Sequence, residues 1–297
     1  MVHANTLPMR KAWYAGSWYA ADRQTLLEQI TQTVRELEVS EQKGPIRFAV
    51  LPHAGLTYSA RGIAPVVVHA PKHVERVMIL SPSHYTVVPD NVLSFGYFSG
   101  YETPLGSLSS FSTTLESQGP DASIAIQREH AVEMVLPFLA YLQHVQQSPI
   151  KVAMALISHL TDSSHASLLA ENLIAALGEQ ELESGNTLVI ASSDFTHYGK
   201  RFGYAPFGAQ VDNSVADKVR QNDLAIAQHL ALGEIGPLFL AQRMQRTTIC
   251  GIAGATIVSA MARQLNASGW VANYYTSRDV LKEMATDFVA YATVLWR

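Results

Sequence analysis

His53, His84, Asp194 and His197 each follow closely on a short apolar run, and that shared setting is where chemistry is expected. Arg47-Phe48-Ala49-Val50-Leu51 ends at Pro52-His53-Ala54-Gly55. Val77-Met78-Ile79-Leu80 ends at Ser81-Pro82-Ser83-His84. Leu188-Val189-Ile190-Ala191 ends at Ser192-Ser193-Asp194-Phe195-Thr196-His197. A short β-branched run closed by Pro, Gly or Ser reads as a buried parallel strand. In an open α/β sheet the ligand site lies beyond the carboxyl ends of such strands. Two imidazoles and an Asp–His pair are therefore expected to converge in one crevice.

Each candidate has a second reading. Gly55 lets the backbone turn sharply or approach a ligand, so the His53 ring either faces the crevice or is satisfied inside a strand–helix turn. His84 repeats that context one strand later, and two neighbouring strand ends make a metal pair, unless they are unrelated turn histidines. Asp194 and His197 suit ligand orientation or proton transfer, or else a helix cap. Cys250, the only cysteine, opens a helix rich in small residues. There a thiol is expected to titrate low and to act as nucleophile or metal ligand. On spacing alone, a small buried hydrophobe is the favoured reading. Glu129, His130 and Glu133 fall at a helix start; the carboxylates suit capping, and His130 is a candidate for the same pocket. The aromatics of Trp13-Tyr14-Ala15-Gly16-Ser17-Trp18-Tyr19 read first as core with satisfied polar tips. The alternative is a rim for a substrate or peptide, formed by Trp13, Trp18 and Tyr58.

Strands and helices must alternate to place these groups. Helices are expected over Asp22–Leu37, Ala60–His69 (interrupted by Pro65), Ala131–Val145 (despite Pro137), Ser163–Leu177, most of 209–245, and Gly251–Gln264. Strands are expected at Arg47–Leu51, Arg76–Leu80, Asn91–Phe98, Lys151–Ile157 and Leu188–Ser192. Trp270–Thr276 and Phe288–Trp296 read as a late antiparallel pair. Residues 107–128 read as loop with short elements. No repeat or linker divides the chain, so residues 1–297 are expected to form a single α/β domain: a mixed, largely parallel sheet with helices on both faces.

Composition narrows the function classes. The 297 residues are 48% hydrophobic and 15% charged, which excludes a disordered chain. The net charge of −4 and the lack of Lys/Arg runs give no nucleic-acid or anionic-membrane footprint. No stretch approaches the roughly 18 apolar residues that span a bilayer. Arg10 and Lys11 are not followed by an apolar segment, so no signal peptide is expected. A single cysteine allows no intrachain disulfide, and a cytoplasmic location is expected.

Taken in order, Ala15-Gly16-Ser17-Trp18-Tyr19, Pro52-His53-Ala54-Gly55, Pro82-Ser83-His84, Glu129-His130 with Glu133, Ser192-Ser193-Asp194-Phe195 with His197, and Thr248-Ile249-Cys250-Gly251 resemble the Memo family. Its bacterial and archaeal members are called protein B of the AmmeMemoRadiSam system. The resemblance implies a fold like that of the LigB-type extradiol dioxygenases, which are non-haem iron enzymes. It also implies metal ligands His53, His84 and Cys250, with Asp194, His197 and His130 as catalytic groups around them. This reverses the reading of Cys250 reached from spacing. Iron or copper is the implied metal, with zinc a further option. Radical-SAM and AMMECR1-like proteins are the implied partners, beside a small-molecule or peptide ligand.

A thiolate in place of the dioxygenases' carboxylate is softer and oxidisable, so ring cleavage does not follow from fold. Three functions compete: a metal-dependent redox enzyme, dioxygenase-like in its site; a non-catalytic peptide- or protein-binding module using the same crevice; and a metal-free cysteine hydrolase. The last is weakest, because the imidazoles and the carboxylate exceed what such a site needs.

Overall fold

The structure, a computed structural model, describes residues 7–37 and 44–297, apart from the side chains at 117 and 118. The apolar runs are strands: β1 (Phe48–Leu51), β2 (Arg76–Ser81), β3 (Lys151–Leu156) and β4 (Thr187–Ser192). They are mutually parallel, in the spatial order β3-β2-β4-β1. β5 (Gly269–Thr276) and β6 (Phe288–Trp296) continue the sheet antiparallel, β6 beside β1 and β5 at the edge. Short pieces bring the sheet to eleven strands among the described residues.

Alternation along each strand divides the core between two faces. Phe48, Val50, Met78 and Leu80 pack on one side with Ser163–Leu177, Asn213–Leu232 and Ile252–Gln264. Ala49, Leu51, Val77 and Ile79 pack on the other with Arg23–Glu36, Leu56–Ile63 and Leu136–Gln146. Both faces are covered, so the strands read as continuous apolar runs. Each Leu or Val so buried contributes about 1.5–3 kcal/mol. The mixed, mostly parallel α/β architecture is the one expected from the sequence.

Departures from the expected elements have local causes. Pro65 splits the segment after β1 into Leu56–Ile63 and Pro65–Val68, because it has no N–H to continue the ladder. The helix expected from Ala131 begins at Leu136 instead, with Pro137 in its first turn, where a missing N–H is harmless. The strand expected over Asn91–Phe98 shrinks to Ser94–Phe95. Asn91 is left-handed (φ 60°), and both its N–H and its side chain bond the 159–161 loop. Residues 209–245 form two helices, Asn213–Leu232 and Ile235–Arg243, separated at Gly233 (φ 71°). Among the described residues, no helix is long and apolar enough to cross a membrane.

The strand order creates the crevice. From β1 the chain returns on the far side of β4, so β1 and β2 flank it. The loops leaving all three strands therefore open at one end of the sheet, at the reversal where open α/β sheets bind ligands.

Candidate metal centre

β1 ends at Leu51, and His53 follows it after Pro52. The His53 N–H donates to Asp194 Oδ1 at 2.8 Å, linking the ends of β1 and β4. The His53 ring is buried and its Nδ1 lies 2.9 Å from Ser192 Oγ. Ser192 Oγ donates its own hydrogen to the Ala131 carbonyl at 2.6 Å, so it can only accept from His53. His53 therefore carries its proton on Nδ1, and its Nε2 lone pair faces Cys250 Sγ at 3.2 Å.

The ring of His84 is fixed in the same sense by a carboxylate. Buried Glu129 accepts the His84 N–H at 2.7 Å and faces His84 Nδ1 at 2.8 Å. It also accepts the Ala131 N–H at 3.1 Å. With Nδ1–H held by Glu129, Nε2 of His84 is the free donor.

Cys250 reaches the crevice because Gly251 lies against β4. A Cβ at Gly251 would overlap the Ser192 carbonyl oxygen and the Ser193 side chain. The Gly251 N–H is received by Ser193 Oγ at 3.0 Å. One ligand atom each from His53, His84 and Cys250 lies within 4.8 Å of the others. A second such set, His84, Glu129 and His130, shares His84. Since Glu129 already holds the Nδ1 side of His84, that set is better read as support for the first than as a rival to it.

The remaining candidates surround the three donors. The His130 ring lies 4.4 Å from that of His84 and 5.3 Å from that of His53, centroid to centroid. Its Nδ1 is 2.9 Å from the Tyr85 hydroxyl and 3.2 Å from Glu129. The His197 N–H donates to Thr248 Oγ1, and its Nδ1 to the Phe195 carbonyl at 3.1 Å. Burial, then the neighbouring imidazoles, push His53 well below the usual histidine range. Burial first takes His130 down to about 4 and lowers His197 as well. These rings are thus neutral at pH 7, the form that binds a metal. Burial raises Asp194 to about 6, against the pull of the His53 and Ala54 N–H groups.

The thiol departs from the expectation of a low pKa. Burial, and then the Asp194 carboxylate, push Cys250 up. The helix whose N-terminus was to lower it begins at Ile252, so the thiol stands one residue outside the cap and faces a negative neighbour.

Of the rim candidates, Trp18 lies 4.5 Å from the His130 ring. Trp13 is 53% exposed, with the Arg128 guanidinium 5.8 Å from its ring centroid. Tyr58 is half-buried, and its carbonyl accepts from the Tyr275 hydroxyl at 2.7 Å. The sequence reading missed Arg10, Tyr85 and Ser192, and it treated Glu129 and Glu133 as caps. The Glu129–His130 pair was the available signal for Glu129, because a carboxylate beside an imidazole, here at the end of the helix Ser123–Arg128, suits a histidine orienter.

The profile of a family described as "Memo-like protein" matches residues 10–295. The chain belongs to the Memo family. It is 28% identical to the MEMO1 family protein of Thermococcus onnurineus, over 95% of this chain and 97% of that relative. It is 28% identical to human Protein MEMO1, over 84% and 82%. Against the yeast MEMO1 family protein MHO1 the identity is 30%, over 68% and 63%. The geometry brings two histidines and a cysteine into one cluster that could hold a metal ion.

Proposed function

We propose that this Memo-family chain is a metal-dependent redox protein that holds iron or copper between His53, His84 and Cys250 and acts on a small organic ligand in the crevice. The observation that carries this reading is the pair of fixed tautomers. Both imidazoles have Nδ1 engaged, by Ser192 and by Glu129, and each leaves Nε2 for the side where Cys250 stands. Two imidazoles and one thiolate suit iron, copper or zinc and leave positions open for a ligand. When bound there, iron or copper supplies electrons and an acidic centre for an oxygen- or nitrogen-bearing ligand.

The chain's own residues do the rest. Glu129 and Ser192 keep the donor nitrogens aimed. Asp194 ties the β1 and β4 loops together through the His53 N–H. His130, held by Tyr85 and Glu129, is placed to take or return a ligand proton, and His197 is a second such group. Trp18 covers His130 and keeps water from that side.

The deciding experiment is anaerobic purification, metal analysis, and titration with Fe(II), Cu(I) and Zn(II). One equivalent of iron or copper, lost in His53→Ala, His84→Ala and Cys250→Ser, is the expected result. Equal metal content in all variants would place the metal elsewhere. A preference for Zn(II) with no redox response would sink the redox part alone.

The binding-module reading is favoured by one observation, the exposed Trp13 ring with the Arg128 guanidinium against it. A peptide gripped there should lose affinity in Trp13→Ala whether or not metal is present.

A further inference from the structure

A recess of about 440 Å³ opens beside Cys250, between the end of β3 and the helix Ile235–Arg243. Its walls divide by chemistry. Leu160, Phe239, Ile249 and Ile252 supply apolar surface. Gln242, Arg243 and Thr247 supply hydrogen-bond donors. Among the described residues no Asp or Glu lines it, although the chain as a whole carries a net charge of −4. Arg243 is exposed, and its guanidinium has no hydrogen-bond or ion-pair partner among the described residues. The Thr247 hydroxyl accepts the Ile249 N–H at 3.2 Å, which leaves its own hydrogen to donate. His159, also in the wall, stands next to Asp90, which belongs to the neighbouring recess at His84. Ser158 and His159 line both recesses, and each recess has one of the three candidate metal donors in its wall, His84 in the one and Cys250 in the other.

We infer that this recess is the substrate's anion subsite: Arg243, with Gln242 and Thr247, receives a carboxylate or phosphate group whose apolar body lies against Phe239 and Ile249, beside Cys250. An exposed, unpartnered guanidinium is a ready fork for either anion, and none of the described residues lining the recess offers it a carboxylate. The subsite rests on the reading of the crevice as a ligand site, and it narrows that reading to organic acids or phosphate esters with an apolar body. Arg243 is a specificity residue here; it takes no part in holding metal.

Cys250 is the only thiol in the chain, so it reports on the recess without a known substrate. The probes are iodoacetate and iodoacetamide, alike in the group that alkylates and different in charge. They are applied to the intact metal-free protein at one pH. Arg243→Gln should slow alkylation by iodoacetate by roughly threefold, the worth of one partly screened charge contact, and leave iodoacetamide unchanged. Arg243→Lys should keep most of the preference. Using one reagent as the control for the other cancels any change in thiol reactivity or folding.

Inorganic phosphate or acetate, at matched ionic strength, should slow iodoacetamide labelling of the wild type and not of Arg243→Gln. Protection by phosphate alone assigns a phosphate group, and protection by acetate assigns a carboxylate. Equal effects of Arg243→Gln on both reagents, no effect on either, or protection by neither anion would overturn the subsite. Because the assay contains no metal, it stands apart from the metal titration. A retained anion preference in a protein that binds no metal would sink the metal reading and keep the subsite.

Discussion

Arg10 and Glu133 form an ion pair at 2.7 Å with both side chains fully buried, although 123 positions separate them. Glu133 also accepts the Trp13 and Tyr14 N–H groups and the Tyr19 hydroxyl. Arg10 in turn bonds the Ile126 and Glu129 carbonyls. One carboxylate thus fastens the aromatic segment that carries Trp18 onto His130. Removing one partner of a buried pair leaves an uncompensated charge, at about 3–5 kcal/mol. Glu133→Ala should destabilise the fold by that amount in denaturant titration, and Arg10→Ala similarly. A loss under 1 kcal/mol for both would mean that water reaches the pair.

Glu129 makes a sharper claim on function. It accepts from three donors, two of them belonging to His84. Glu129→Gln keeps the shape and turns one acceptor into a donor facing an N–H. Metal affinity should fall by about 10–100-fold, the usual effect of losing a carboxylate behind a ligating histidine. Calorimetric titration with Zn(II) or Fe(II) measures it. Unchanged affinity would show that His84 needs no orienter.

The sequence made the positions of His53, His84 and Asp194 legible because parallel strands have an unmistakable ending: an apolar run, then Pro, Ser or Gly. Strands β1 to β4 were placed within a residue or two for the same reason. What could not be read was long-range hydrogen bonding. Nothing around Arg10 announces a partner at Glu133, and Glu129 looks like a cap until β2 places His84 above it. Cys250 stayed ambiguous because its role depends on Gly251 meeting Ser192 and Ser193, a contact across 58 positions. The thiol's charge state was not legible for a related reason: the burial that raises it, and then the Asp194 carboxylate past the end of β4, come from residues distant in sequence.

That raised thiol pKa has a direct readout. Metal-free Cys250 should react sluggishly with iodoacetamide at pH 7 and faster as pH rises well above the unperturbed value of about 8.5. Asp194→Asn removes the second cause of the shift and should move the profile to lower pH, leaving burial to hold it above a free thiol. Bound metal should block labelling at every pH, because the sulfur lone pairs are engaged. Rapid labelling at pH 7, at the rate of a free thiol, would contradict the burial argument.

Asp223 predicts how stability depends on pH. It is fully buried on the helix Asn213–Leu232 and accepts the Thr196 hydroxyl at 2.6 Å and the Tyr274 hydroxyl at 2.9 Å. Burial outweighs these bonds and raises its pKa from 3.8 to about 7. A carboxyl whose folded pKa lies above its unfolded value keeps its proton longer in the fold. Between the two values the folded state holds the extra proton, so this group's contribution to stability falls as pH rises. The window runs from the unfolded value of 3.8 to the folded value of about 7, and the loss is complete above it. Asn cannot ionise, so Asp223→Asn should gain on the wild type across that window, by on the order of 2–4 kcal/mol. The comparison is a difference between two proteins at each pH, so Asp194, which is raised in the same direction, cancels. Urea unfolding of both proteins at pH 4, 6 and 8 gives the measurement. Parallel stability curves would mean that Asp223 ionises in the fold as readily as in the unfolded chain, with its hydroxyl partners fully compensating for burial.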